Sequence, residues 1–358
     1  MYSKYMNYKI TGSGSCIPTN NQDNGAFLSQ SFYDDNGVEL ELDNQIIIDK
    51  FNSITGIEQR KYINKKLNTS DIAAVAAQDA IEDAQIDPET LDYIIVAHNF
   101  GDIPYGSKQI DTLPNLAARV KSKLKIKNPS CVAYDILFGC PGWVEGMIQA
   151  KAFIKAGMAS KCLVVGADAL SRVIDKYDRD SMIFADGAGA TILEATDEDG
   201  GVLSHTSATY TSENEAEFIY YGNSCNTKAD QSEKYIKMQG RKVYEFALSH
   251  VPAAMKKCLD DANIEIDQLK KIFIHQANKK MDEAIAKRFY RLFKVPMPED
   301  ILPMNIEEFG NSSVATVPTL FNLVLKQNYK GHRLNKGDII LFASVGSGMN
   351  INAITYQI

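Results

Sequence analysis

The sequence predicts an α/β fold built from two halves of the same plan, over roughly residues 1–195 and 196–358, and three observations carry that prediction. First, the stretch Ala84-Gln85-Ile86-Asp87 through Leu91-Asp92-Tyr93-Ile94-Ile95-Val96 reads like Ala262-Asn263-Ile264-Glu265 through Leu269-Lys270-Lys271-Ile272-Phe273-Ile274. Each is a helix end, a short turn and a buried strand. Second, Phe138-Gly139-Cys140 and Phe309-Gly310-Asn311 share a Phe-Gly lead-in, and each precedes a helical segment. Third, those segments run into Cys162-Leu163-Val164-Val165 and Ile339-Ile340-Leu341-Phe342, apolar runs of the kind buried on both faces of a sheet. The echoes recur in the same order, which argues for duplication, and strands alternate with helices throughout.

Along the first half, the polar, Asn/Asp-rich segment 20–48 predicts a loop or lid, as does 99–114 with Gly101, Pro104, Gly106 and Pro114. The helix after Cys140 carries Trp143, Val144, Met147, Ile148, Ala150, Ala152, Phe153 and Ile154, which wrap well beyond one face and predict a largely buried helix. Glu145, Gln149 and Lys151 on it need polar neighbours or an exit to solvent.

With 358 residues, 45% of them hydrophobic and 23% charged, the chain can bury one large core or two fused smaller ones, which excludes disordered and fibrous classes. A net charge of −7 gives no reason to expect nucleic acid as a partner. The start, Met1-Tyr2-Ser3-Lys4-Tyr5-Met6-Asn7, lacks the apolar core of a signal peptide, and no run reaches the roughly 18 apolar residues of a membrane span. The expectation is a cytoplasmic protein. Six scattered cysteines (Cys16, Cys131, Cys140, Cys162, Cys225, Cys258) without CxxC spacing suit a reducing compartment and predict no metal site.

Cys140 lies between Leu137-Phe138-Gly139 and Pro141-Gly142, where a strand turns into the buried helix. Pro141 suits the first helical position, and the free N–H groups and dipole of a helix start favour thiolate over thiol. The competing reading is a small packed cysteine. His275 ends the strand Ile272-Phe273-Ile274, where α/β proteins often present working side chains; a hydrogen-bonded structural histidine is the rival. Asn311, in Gly310-Asn311-Ser312-Ser313, reads either as an ordinary helix N-cap or as the counterpart of Cys140 across a pseudo-twofold axis, sharing its pocket.

Gly139-Cys140-Pro141-Gly142-Trp143, Asp186-Gly187-Ala188-Gly189-Ala190, His275-Gln276-Ala277-Asn278, Gly310-Asn311-Ser312-Ser313 and Gly346-Ser347-Gly348 stand in the order seen in ketoacyl-ACP synthase III. The early Thr55-Gly56-Ile57-Glu58-Gln59-Arg60 segment also resembles that family, and the likeness covers nearly the whole chain. The resemblance implies a duplicated five-layer α/β/α/β/α thiolase-like fold and a homodimer. It implies Cys140 as nucleophile, His275 and Asn311 as the pair that activates a malonyl-type thioester, and backbone N–H groups of Cys140 and Gly348 as the oxyanion hole. The expected reaction is decarboxylative Claisen condensation of an acyl thioester with a malonyl-type thioester. No cofactor is expected beyond acyl-carrier-protein or coenzyme A thioesters.

Lys280, Lys287, Arg291 and Lys294, spaced by seven, four and three, fall near one helical face. They are either a solvated face or, as the resemblance implies, the docking surface for an acidic acyl carrier protein. Leu113 falls where the family places a residue reaching into the partner subunit's pocket, and Trp143, beside the nucleophile, is expected at the substrate pocket. The family's coenzyme-A-stacking tryptophan is absent ahead of the Thr55-Gly56-Ile57 motif, where Lys50 and Phe51 stand, and Pro141 replaces the usual small residue. A true thiolase would carry a second catalytic cysteine near Ser344-Val345-Gly346-Ser347-Gly348, which has none. The rivals to condensation are acyl transfer from Cys140 to an alcohol or amine, and a silent partner subunit of a synthase.

Overall fold

The structure, a computed structural model, describes residues 7–358. In the first half the order is β1 (Asn7–Cys16), β2 (Asn20–Asp23), α1 (Asn44–Thr55), β3 (Gln59–Tyr62), α2 (Thr69–Ala84), β4 (Tyr93–Ala97), α3 (Leu116–Lys123), β5 (Val132–Ile136), α4 (Gly142–Lys155), β6 (Lys161–Ala169) and β7 (Asp186–Thr196). The second half runs β8 (Gly201–Thr209), β9 (Ile219–Gly222), β10 (Tyr235–Met238), α5 (Gly240–Asp261), β11 (Leu269–Ile274), α6 (Lys279–Leu292), α7 (Ile306–Phe309), α8 (Thr316–Gln327), β12 (Ile339–Gly346) and β13 (Asn350–Gln357).

Duplication is visible in the sheets. The first has the order β1-β7-β6-β4-β5 and the second β11-β12-β13-β8. In each, a parallel pair (β4 with β6, β11 with β12) continues into two antiparallel strands. Among the described residues the second sheet has no counterpart of β5; an irregular segment fills that place, with Ile301 accepting a hydrogen bond from the Ile272 N–H at 2.8 Å.

Side-chain alternation along the central strands builds five layers. On β4 and β6, Ile94, Val96, Leu163 and Val165 face α2 and α3, whereas Ile95 and Val164 face α4 and α8. On β11 and β12, Phe273, Ile340 and Phe342 face that same helix pair, and Ile272, Ile274, Leu341 and Ala343 face α5 and α6. Strands covered on both faces must be apolar at every position, which is why they read as continuous runs. Helices α4 and α8 form the shared central layer.

Helix α4 matches the buried helix expected after Cys140, and two of its three polar exceptions find partners. Glu145 accepts from Asn352 Nδ2 at 2.8 Å, and Gln149 accepts from the Tyr134 hydroxyl at 2.9 Å. Ala152, expected inside, is exposed on the last turn. Trp143 corrects the expectation placed on it: the ring is fully buried, packs edge-on against Phe342 at 5.3 Å and does not line the cavity beside Cys140. Segment 20–48 is not a free loop either. β2 pairs with β3, and Phe27 and Phe32 anchor the stretch in the core.

Arg60 locks this corner to the segment that leads into β7. It is fully buried beside Phe27, and its guanidinium donates to Met182 O, Gln22 O and Asn24 Oδ1 at 3.0, 3.0 and 2.7 Å. Burial holds its pKa down at about 10. Met182 precedes Ile183, whose carbonyl accepts from the Asn311 N–H, so the early Thr55–Arg60 motif supports the Asn311 turn from behind. Arg60→Ala strands three acceptors and opens a cavity. Urea denaturation of that variant is expected to show a loss of about 2–4 kcal/mol.

Candidate active site

Cys140, His275 and Asn311 line one cavity of about 200 Å³. Cys140 comes from the turn between β5 and α4, His275 from the end of β11, and Asn311 from the turn between α7 and α8. Both turns sit at equivalent ends of the duplicated halves, so the fold brings the nucleophile candidate and its counterpart face to face.

The Cys140 turn needs two glycines. Gly139 has φ +66°, and a Cβ there would meet Ser347 N at 2.7 Å. A Cβ on Gly346 would lie 2.5 Å from Cys140 N. The Gly346–Gly348 turn after β12 therefore presses directly on the backbone of Cys140. Pro141 is the N-cap of α4 and not its first helical residue, which sets Cys140 one position ahead of the cap.

The thiol departs from expectation. Burial pushes its pKa up to about 12, with the Asp168 carboxylate adding to the rise, while hydrogen bonds from Ser313 and from the residue's own backbone oppose it. The helix start favours thiolate, but removing the sulfur from bulk water outweighs it. Its only side-chain hydrogen-bond partner among the described residues is Ser313, whose hydroxyl lies 3.3 Å from Sγ.

His275 is 3% exposed, and burial drops its pKa to about 4, so the ring is neutral at physiological pH. Its Nδ1 lies 2.7 Å from Thr316 Oγ1, which also reaches Ser313 O at 2.9 Å. With the Thr316 hydrogen turned to Ser313 O, the ring carries its proton on Nδ1. With that hydrogen turned to the ring, the proton sits on Nε2, the tautomer a donor role requires.

Asn311 is not a helix N-cap: α8 starts at Thr316, with Ala315 as its cap. Its backbone pairs with Ile183 O and Ala185 N–H at 3.0 and 2.8 Å, and its side-chain oxygen accepts from Ser313 N–H at 2.7 Å. The amide oxygen being occupied, the NH2 group is the end free for the cavity.

Three polar residues here were missed from sequence. Asn99 and Ser313 line the cavity, and Asp168, buried at the end of β6, grips Asn99. Ser313 had a signal, standing two residues after Asn311; so did Asp168, a carboxylate closing an apolar strand. Asn99 lay inside a segment read only as a loop. That loop is pinned at its root by His98, whose Nδ1 accepts from Gly101 N–H at 3.0 Å and whose Nε2–H donates to Asp135 at 2.8 Å. Arg119 clasps it with ion pairs to Asp102 and Asp111.

Most of the remaining cavity wall is apolar, including Phe100, Leu170, Phe184, Ile219, Ile236 and Met238, with Ser347, Tyr220 and Tyr221 also lining it. A second cavity, of about 380 Å³, shares Met238, Val243, Ala277 and Met281 with it. It opens past Ile46, Lys50 and Ile54 of α1 and is also lined by Arg179, Arg241 and Tyr244, so the shared residues stand between the surface opening and the cavity of Cys140.

Among the remaining sequence candidates, Gly348 lies in the turn against Cys140 with φ +76°. Lys280, Lys287 and Arg291 are exposed on α6, Lys287 facing Glu283 at 3.5 Å. Lys294 corrects the helical spacing: it lies past the end of α6 with φ +59°. Leu113 is 87% exposed and does not line this chain's cavity.

Comparison with known proteins points one way. Residues 134–211 match the profile of 3-oxoacyl-[acyl-carrier-protein] synthase III, and residues 259–358 match that of its C-terminal region. The chain is 31% identical to the β-ketoacyl-[acyl-carrier-protein] synthase III of Microcystis aeruginosa, over 97% of this chain and 96% of that one. It is 33% identical to that of Porphyra purpurea, over 85% and 88%. The crystal structure of 3-oxoacyl-[acyl-carrier-protein] synthase III from Aquifex aeolicus superposes with a TM-score of 0.81 at 25% identity, covering 98% of this chain and all of that one.

The neutral His275 gives a testable pH signature. Between pH 6.5 and about 4 the unfolded ring binds a proton that the folded ring refuses, so its contribution to stability falls as pH drops through that window. Urea melts of the parent and His275→Gln should converge or cross by roughly 1–3 kcal/mol on going from the upper to the lower pH. A constant difference would show that the ring is not held neutral.

Proposed function

Because the chain belongs to the 3-oxoacyl-[acyl-carrier-protein] synthase III family, we propose that Cys140 carries the acyl group while His275 and Asn311 prepare the second thioester. The enzyme is an acyltransferase that condenses an acyl thioester with a malonyl-type thioester, giving a 3-ketoacyl thioester, CO2 and a free thiol. The observation that carries the division of labour is the convergence of all three residues on one narrow, apolar-walled cavity.

Cys140 sulfur attacks the acyl carbonyl, and the donor's C–S bond breaks to release its thiol with the proton lost from Cys140. The tetrahedral oxyanion is held by the N–H groups of Cys140 and Gly348, a role supported by the packing of the Gly346–Gly348 turn on Cys140. When the malonyl thioester enters, its carboxylate leaves as CO2 and the bonding electrons pass into an enolate. His275 Nε2–H and the Asn311 amide donate to the enolate oxygen; two neutral donors suit a site where burial penalises a standing charge. The enolate carbon then attacks the acyl carbonyl and Cys140 is released. No cofactor beyond the thioester carriers is part of the scheme.

The route past α1 has the form of a sleeve for a pantetheine arm, with Lys50, Arg179 and Arg241 near its mouth. We assign Lys280, Lys287, Arg291 and Lys294 to docking of acyl carrier protein, which their exposure supports. A homodimer is supported by β5, an edge strand whose outer side has no partner among the described residues, together with the exposed Val132, Leu137 and Leu113. No helix among the described residues is long and apolar enough to cross a membrane, and the six cysteines are free; both fit a cytoplasmic enzyme. The pathway is fatty-acid initiation or a related specialised lipid or polyketide route, with Phe100 packed on Tyr221 at 5.4 Å limiting the acyl group.

Labelled malonyl carrier supplied with an acyl donor tests the reaction. Release of labelled CO2 matched by 3-ketoacyl product, with an acyl adduct on Cys140 by mass spectrometry, is the expected outcome. Malonyl left intact while the acyl group moves to an alcohol or amine would establish the rival transfer chemistry, and no adduct with any donor would mark a silent subunit. For the docking face, Arg291→Glu should raise KM about tenfold for a carrier-bound substrate and leave a small thioester analogue untouched. Equal effects on both would remove this face from carrier recognition.

A further inference from the structure

We propose that Ser313 is a further catalytic residue, its hydroxyl stabilising the Cys140 thiolate, and that Asn99 and Asp168 are positioning residues that aim that hydroxyl. The proposal rests on the reading of Cys140 as nucleophile.

Counting hydrogens along the chain of contacts gives the direction. Asp168 holds Asn99 twice, accepting from its main-chain N–H at 2.9 Å on Oδ1 and from its side-chain amide at 2.6 Å on Oδ2. Asn99 has one amide hydrogen left, and it goes to Ser313 Oγ at 2.9 Å. Ser313 accepts from Asn99 at its oxygen, and its single hydrogen has two acceptors within reach, Cys140 Sγ at 3.3 Å and the Asp168 carboxylate that Asn99 already occupies twice. A hydroxyl held as donor favours thiolate; one free to rotate would equally well accept from the thiol. The equilibrium concerned is loss of the S–H proton to water reaching the cavity, and the hydroxyl keeps its own proton throughout.

Ser313 is placed for this by its backbone. Its φ is +53°, the left-handed region, which turns three groups toward three partners. The N–H holds Asn311, the carbonyl lies 2.9 Å from the Thr316 hydroxyl beside His275, and the side chain meets Cys140. The ionisable groups around the sulfur are Asp168 from β6 and His275 from the end of β11. His275 is neutral, and Asp168 opposes a second negative charge, so the Asn99 hydrogen bonds that disperse the Asp168 charge also serve the thiolate.

The test is the pH dependence of Cys140 alkylation by iodoacetamide, read by mass spectrometry in the full chain with the other five cysteines as internal controls. Ser313→Ala keeps the main-chain contacts to Asn311 and Thr316 and removes only the hydroxyl. Its apparent thiol pKa should rise by about one unit, a tenfold fall in alkylation rate at neutral pH. Asn99→Ala should shift the profile the same way by less, and the shift of the double variant should fall short of the sum of the two. An unshifted profile in either single variant that melts like the parent would overturn the assignment. Because alkylation needs no acyl donor, that result stays distinct from failure of the condensation reading, which would show as absence of a Cys140 acyl adduct in the parent.

Discussion

Everything at the site depends on how closely two stretches of main chain approach. The Gly346–Gly348 turn of the second half lies on the Cys140 turn of the first, with Gly346 so near Cys140 N that no side chain fits between them. This contact sets the depth at which the sulfur sits and aligns the two halves about it. The same logic repeats behind Asn311, where a Cβ on Gly310 would meet Arg60 Cβ at 2.7 Å. Close-packed interiors transmit such small displacements because they have no slack to absorb them.

Around that contact the site gathers polar groups that are individually neutral at physiological pH. The thiol is pushed up by burial, the imidazole is pushed down by it, and the Asn311 amide has no charge to lose. Charge arises there only during reaction, where fixed donors are worth more than they would be in water. The exception is Asp168, whose pKa burial raises to about 6 against the opposing hydrogen bonds from Asn99. A carboxyl so placed is tolerated because its lone pairs are used, which is the condition any buried polar group must meet.

The duplicated sheet plan and the convergence of Cys140, His275 and Asn311 on one cavity were legible in sequence for a physical reason. Strands covered on both faces leave continuous apolar runs, and turns with backbone on backbone leave glycines at fixed offsets, so both marks survive in one dimension. What burial does to a titratable group leaves no local mark, so its effect on Cys140, which opposes that of the helix start, could not be read there. Trp143 was misplaced because Cys140 lies ahead of the Pro141 cap, off the helix: its side chain lines the cavity, whereas Trp143 on α4 points to Phe342. Asn99 was invisible because its importance comes from Asp168, 69 residues away in the chain.

The two cavities meet at a neck formed by Met238, Val243, Ala277 and Met281. Two of these are methionines, whose unbranched thioethers adapt to a thin thread passing between them. If donor and acceptor arms both pass that neck, they must queue: the spent first arm vacates before the second is threaded. Sequential occupancy is then a property of the shape of the throat, requiring no signal between substrates, and a carrier that lingers after unloading acts as a plug.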